Sequence, residues 1–230
     1  SHTNSSNNTV FADSEGNIAY LHSNFVPVRD RDLDYREAVD GSDPATDWQG
    51  VHTIEESPNS INPPNGWVQN TNNWPYSAAG EHSPAREDFP PYMDVGSENP
   101  RGVHALRLLE GIEDVSLDEF LALAYDPQLP AFDTLVPRLY GAWAGLAEDD
   151  AQRARLAEPV ATLREWDRRW SLDSAATSVA VFWGEALLAR TRDAARAADL
   201  PVQEYMETRA PAAVLLETLG DAVARLEMDF

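Results

Sequence analysis

Thirty-nine acidic against 17 basic residues give this 230-residue chain a formal charge of −22. Phosphate backbones and anionic headgroups repel such a surface, so nucleic-acid and membrane-surface roles are set aside. Cysteine is absent, which excludes disulfides and thiolate metal sites, and no apolar run approaches the roughly 18 residues of a membrane span.

Composition changes near residue 100. Residues 1–100 hold most of the prolines and asparagines, whereas 101–230 are rich in Ala, Leu, Arg and Glu. The contrast predicts an α+β chain, with an irregular β segment over 1–100 and an all-helical subdomain over 101–230. Residues 1–8 read as a polar loop, in which Asn4-Ser5-Ser6 and Asn7-Asn8-Thr9 match the short glycosylation pattern. Residues 9–13 and 18–22 read as a β-hairpin, with Gly16-Asn17 supplying the turn. That turn is too short for a calcium loop and lacks the distal Glu.

The densest stretch is Pro63-Pro64-Asn65-Gly66-Trp67-Val68-Gln69-Asn70-Thr71-Asn72-Asn73-Trp74-Pro75. Asparagine amides compete locally with the backbone and fill regular elements poorly. Trp67-Val68 is therefore expected as a short strand, ending in a turn that aims amides outward. The plainer reading is an asparagine-rich turn that satisfies its own backbone. Residues 75–100 form a proline- and acid-rich connector, with Phe89-Pro90-Pro91-Tyr92 expected to be extended.

From residue 101 the apolar residues recur at helical spacing. Ser116-Leu117-Asp118-Glu119 is a capping box. Leu117, Phe120, Leu121 and Ala124 share one face behind it. Further stripes follow in Phe132, Leu135, Val136 and Leu139 (with Pro137 expected to kink the helix), in Leu156, Val160, Leu163 and Trp166, and in Val214, Leu215, Leu219 and Val223. All of these stripes are expected to be core.

Chemistry-bearing patterns are few. None of the five histidines has a helical partner at zinc-ligand spacing, and no phosphate-binding glycine loop occurs. Ser1 alone has a nucleophile's position, because a terminal serine carries an amine that can act as its base. The chain lacks an initiator Met and ends on an unterminated helical pattern, so it is expected to be a segment of a longer polypeptide.

Three stretches, in order, resemble the penicillin acylase family of N-terminal-nucleophile amidohydrolases. Asn8-Thr9-Val10-Phe11-Ala12-Asp13-Ser14-Glu15-Gly16-Asn17-Ile18-Ala19-Tyr20 is similar to its Asn-x-x-Tyr/Phe-Ala-Asp-x-x-Gly-Asn-Ile-x-Tyr strand pair. Gly66-Trp67-Val68-Gln69-Asn70-Thr71-Asn72-Asn73-Trp74-Pro75 is similar to its Gly-aromatic-aliphatic-x-x-x-Asn-Asn/Ser-x-Pro segment. Arg101 heads a helix like the family's Arg-x-x-x-(Ile/Leu)-x-x-(Leu)-Leu, and Trp48-Gln49-Gly50 and Leu163-Arg164-Glu165-Trp166-Asp167 keep further family steps.

The resemblance implies an internal β-chain segment whose strands come from an N-terminal-nucleophile hydrolase sheet. It implies Asn72 as a side-chain donor of the oxyanion hole and Arg101 as its support, acting on an acyl-amide substrate. Ser1 is out of register with the family nucleophile, which is expected elsewhere, and the isolated chain is expected to be inactive. No catalytic cofactor is implied. A structural calcium is, with one ligand near Asp34-Tyr35 and another in the connector, where Asp88 and Asp94 both stand; no metal residue is assigned. Partners would be the remaining α- and β-chain portions, in a periplasmic or secreted enzyme. The competing reading is a non-catalytic binding or structural module for carbohydrate, calcium or a protein partner, using Trp48, Trp67 and Trp74.

Overall fold

The computed structural model describes residues 7–22 and 24–229. Ser1 and the Asn4 glycosylation match therefore lie outside the described residues. The chain divides into two compact units, Ser1–Val115 and Ser116–Phe230. The compositional change near residue 100 precedes this division by one helix, α1 (Pro100–Leu109), which lies in the first unit.

The first unit is built on a three-stranded antiparallel sheet in the order β1 (Thr9–Ala12), β2 (Ile18–Leu21), β3 (Asn59–Ile61). The predicted hairpin is present, with Val10 opposite Tyr20 and Ala12 opposite Ile18. Its turn is tied by one carboxylate. Asp13 Oδ1 accepts from the backbone N–H of Glu15 and of Asn17, both at 2.9 Å, and Oδ2 accepts from Asn17 Nδ2 at 2.8 Å. These donors hold the Asp13 carboxyl below its usual range, the Asn17 side chain most of all. Gly16 takes the left-handed conformation that the turn requires, at φ +86°.

The third strand was not expected from the sequence. Asn59-Ser60-Ile61 shows no apolar alternation, yet it pairs with β2, Tyr20 against Ser60. Asn62 locks it on: its Oδ1 accepts from Ile18 N at 2.9 Å and its Nδ2 donates to Asn17 Oδ1 at 3.0 Å. β1 and β3 are the two edges of the sheet, and Val10, Phe11 and Ile61 are exposed there.

Two expectations in this unit are corrected. Trp67-Val68 is not a strand; it runs irregularly between the 63–66 turn and a bond from Gln69 N to Ala78 O. With prolines upstream and asparagines downstream, there is no length over which a ladder could repeat. Nor is the 89–92 stretch extended throughout: Phe89 is, but the chain turns after it. Met93 N donates to Pro90 O at 2.9 Å, closing a turn with Pro91 at its second position, where a fixed φ fits.

The second unit is helical: α2 (Leu117–Ala124), α3 (Ala131–Ala144), α4 (Ala151–Arg155), α5 (Ala157–Glu165), α6 (Ala175–Ala197), α7 (Val202–Thr208) and α8 (Ala212–Asp229). The Ser116/Glu119 capping box forms as predicted, with both reciprocal bonds present. Side chains from α3, α5, α6, α7 and α8 meet in one apolar core around Trp183, which is fully buried and donates from Nε1 to Leu215 O at 3.2 Å. Phe132 packs edge-on to Trp166 at 5.4 Å and tilted against Trp183 at 6.3 Å. The stripes read for α3, α5 and α8 are therefore core, and Ala180, Trp183 and Leu187 of α6 join them. The α2 stripe is not. Leu117 is 73% exposed and Phe120 52%, because periodicity defines an apolar face without saying what that face meets.

Candidate functional site

The asparagine-rich segment is a loop strapped to the chain that follows it. Residues 63–66 turn on Gly66 at φ +74°, with Gly66 N donating to Pro63 O at 2.9 Å. Asn65 Nδ2 then donates to Ala79 O at 2.9 Å and Gln69 Nε2 to Ser77 O at 3.0 Å. The Trp67 ring lies over Gly80, where a Cβ would stand 3.0 Å from the ring.

Asn73 is the anchor. It is 5% exposed; its Oδ1 accepts from Thr71 N at 3.0 Å, and its Nδ2 donates to Ser77 Oγ at 3.1 Å and Glu98 Oε1 at 3.0 Å. Ser77 Oγ donates to the other oxygen of the same carboxylate. Glu98 Oε1 also accepts from Asn99 N at 2.8 Å, and Asn99 caps α1 by accepting from Gly102 N at 3.0 Å. Asn99 Nδ2 reaches back to Thr71 O at 3.4 Å, so the loop and the start of α1 are joined in a closed circuit. Gly102 is required in it: a Cβ there would stand 1.9 Å from Glu98 Oε1 and 2.7 Å from Asn73 Nδ2. The Glu98 carboxylate also sits where the helix N-terminus favours negative charge.

Asn72 is treated differently from its neighbour. Its backbone is left-handed at φ +58°, a conformation asparagine tolerates better than most residues. The residue is exposed, its N–H leans toward Asn70 Oδ1 at 3.4 Å, and its side-chain amide makes no hydrogen bond among the described residues. The circuit thus consumes the Asn73 amide and leaves the Asn72 amide available. Arg101 occupies the first turn of α1 and is exposed. No hydrogen bond or ion pair joins Arg101 to Asn72; what the structure brings together is the loop and the helix end that carries Arg101. The Asn73–Ser77–Glu98–Asn99 circuit was missed in the sequence. Asn99-Pro100, a cap residue followed by proline at the first helical position, was its one legible signal.

The same loop carries buried polar atoms without partners: Asn70 Nδ2, Thr71 Oγ1, Trp74 Nε1 and Gln69 Oε1. Burial, then the Asp94 carboxylate, pushes the Tyr76 hydroxyl up to about 12 and raises Tyr20 further. Burial lowers buried His22, and Asp94, 3.8 Å from Nε2, only partly offsets it.

Two of the carboxylates at the positions named for a structural calcium already accept hydrogen bonds. Asp34 is bound by the Arg36 guanidinium, which holds its carboxyl at about 2, and Asp94 Oδ1 accepts from Gly96 N. Among the described residues no three carboxylate or imidazole groups assemble a metal-ligand set.

The penicillin amidase family model matches residues 1–230. The chain is 30% identical to penicillin G acylase of Escherichia coli over 165 residues, which is 70% of this chain and 18% of that enzyme. It superposes with a TM-score of 0.59 on a thermostable penicillin G acylase from Alcaligenes faecalis, at 20% identity, covering 96% of this chain and 46% of that one. The chain thus spans less than half the length of these relatives. The chain belongs to the penicillin amidase family.

Proposed function

We infer that this chain is the part of an acyl-amide hydrolase that stabilises the tetrahedral intermediate, with Asn72 as the donor. One observation carries the reading: the Asn72 side-chain amide is exposed and unbonded, on a backbone pinned by Asn73. Preorganised donors of this kind cost no reorganisation when charge develops on the carbonyl oxygen.

The chemistry is acyl transfer. A hydroxyl nucleophile from outside this stretch adds to the amide carbonyl, and the C=O electron pair moves to oxygen. Asn72 Nδ2–H then donates to that oxyanion. A neutral amide suits the task, because it donates without holding a ground-state anion. The hydroxyl's proton passes to the amide nitrogen, so collapse of the intermediate expels a neutral amine and leaves an acyl-enzyme, which water hydrolyses to the free acid, restoring the hydroxyl. Arg101 is a positioning residue, bringing a planar, permanently charged fork to the same end of α1. Its place beside the loop is secured by the Asn99 to Thr71 bond. The remaining α- and β-chain portions complete the enzyme, which is periplasmic or secreted.

The test uses the full-length parent and an acyl-amide substrate. Asn72→Ala lowers kcat by about 10²–10³ with KM nearly unchanged. Arg101→Lys is also damaging, and the double variant loses less than the product of the single effects. An Asn72→Ala enzyme with undiminished kcat sinks the reading.

A further inference from the structure

A second site lies in the first unit, on the segment that follows the hairpin. Residues 26–28 run antiparallel to 49–52: Val28 N donates to Gly50 O at 3.0 Å and His52 N to Val26 O at 2.9 Å. This pairing carries Arg29 and Trp48 to the same end, where an open pocket of about 670 Å³ forms with Arg29, Tyr35, Glu37, Val39, Asp47 and Trp48 in its wall. That volume is within the usual range for small-molecule sites, about 300–1,000 Å³.

Arg29 is held in place without being neutralised. Its backbone N–H donates to Tyr92 Oη at 3.1 Å, and Tyr92 packs edge-on against Tyr35 at 5.9 Å. The guanidinium carbon lies 4.8 Å from the centre of the Tyr35 ring and 5.9 Å from that of Trp48. The rings fix the cation by their quadrupoles. Its Nε is buried without a partner, as is Tyr35 Oη, and its terminal nitrogens meet no carboxylate among the described residues. Trp48 is 66% exposed, an aromatic wall facing water.

The opposite charge is present on the same wall. Glu37 and Asp47 line the pocket, and neither has an ion pair among the described residues. A plain anion would be attracted by Arg29 and repelled by these two. A ligand carrying both charges is attracted by all three. We propose that the Arg29–Trp48 pocket binds a zwitterionic amino acid, carboxylate on Arg29 and ammonium toward Glu37 and Asp47, with an apolar side chain against Trp48. The guanidinium fork matches a carboxylate in two parallel hydrogen bonds, and the exposed indole covers the ligand's apolar part. No bond is made or broken.

Three probes of one shape separate the charges: L-phenylalanine, 3-phenylpropionate (no ammonium) and phenethylamine (no carboxylate). Binding is read from the Trp48 indole N–H resonance, assigned by its loss in Trp48→Phe. L-phenylalanine shifts that resonance and binds at least about tenfold more tightly than either single-charge probe, a difference of about 1.4 kcal/mol. Arg29→Gln weakens L-phenylalanine about tenfold and leaves phenethylamine unchanged. Should Arg29→Gln fail to fold, Glu37→Gln keeps the ring stack and must weaken L-phenylalanine while sparing 3-phenylpropionate. Equal affinity for all three probes, or no Trp48 response to L-phenylalanine, overturns the proposal. The full-length parent is titrated alike. Binding there supports a free ligand, while binding to this chain alone overturns it and gives Arg29 to an acidic side chain of the remaining polypeptide.

Discussion

The two units are held together by different physics. In the second, aliphatic and aromatic side chains from five helices close over Trp183, and few polar groups intervene. In the first, the buried positions include His22, Ser57, Ser60, Gln69 and Asn73, and single side chains such as Asp13, Asn62 and Asn73 each make two or more hydrogen bonds to backbone and side-chain groups. Burial of apolar area is non-directional and tolerant; a polar circuit is directional and fails when one member is lost. A loop that holds the Asn72 amide at a set position, as the proposed donor role requires, needs direction more than bulk.

The sharpest way to break this contrast is Trp183→Ala, which empties the helical core and removes one of the donors to Leu215 O, leaving that of Thr218 Oγ1. It costs about 3–5 kcal/mol of the second unit's stability, read from denaturant unfolding. Asn73→Ala acts on the first unit and removes partners from Ser77, Glu98 and Thr71 N. It costs about 1–3 kcal/mol, with lost hydrogen-exchange protection around 71–77 and 98–102 and none in α6 or α8. If the two substitutions exchange places in size, the division into apolar and polar units is wrong.

Acid sharpens it further, because every histidine lies at or before His104 and the second unit has none. Burial lowers the His22 pKa below its unfolded value near 6.5. The unfolded chain therefore binds more protons below that pH. The stabilisation is fully present above about 6.5 and declines as pH falls toward the folded pKa. Between pH 7 and 5 the first unit loosens while the helices hold, as segment-resolved exchange would record, and His22→Gln removes the response. The smallest effect belongs to Leu117→Ala on exposed α2, within about 0.5 kcal/mol by denaturant unfolding, where Leu163→Ala in the core costs about 2–5.

The same contrast explains what the sequence disclosed. Helical stripes repeat every three or four residues, so α3, α5 and α8 were legible from Leu135, Leu163 and Leu219. The hairpin was legible because Gly16-Asn17 separates two short apolar runs. β3 was not, since Asn59 and Ser60 are poor strand formers and pair only because Asn62 reaches residue 18 across the sheet. Neither was the partner set of Asn73, which joins residues 25 apart through side-chain amides that leave no periodic trace. The resemblance singled out Asn72 over its neighbour, but the bonds that occupy the Asn73 amide and spare that of Asn72 appear only in the fold.

The two edges of the small sheet bear on how the chain behaves in solution. Among the described residues, β1 and β3 each present a row of backbone groups with no strand beyond it, and Val10, Phe11 and Ile61 stand exposed beside those rows. Such an edge is a template for another copy. Growth from it is a bimolecular event, so its rate rises with the square of concentration while unfolding of one molecule does not. Dilution therefore protects the hairpin where added stabiliser does not. A single lysine at Val10, on a chain that has none, would place a charge in the path of the incoming strand.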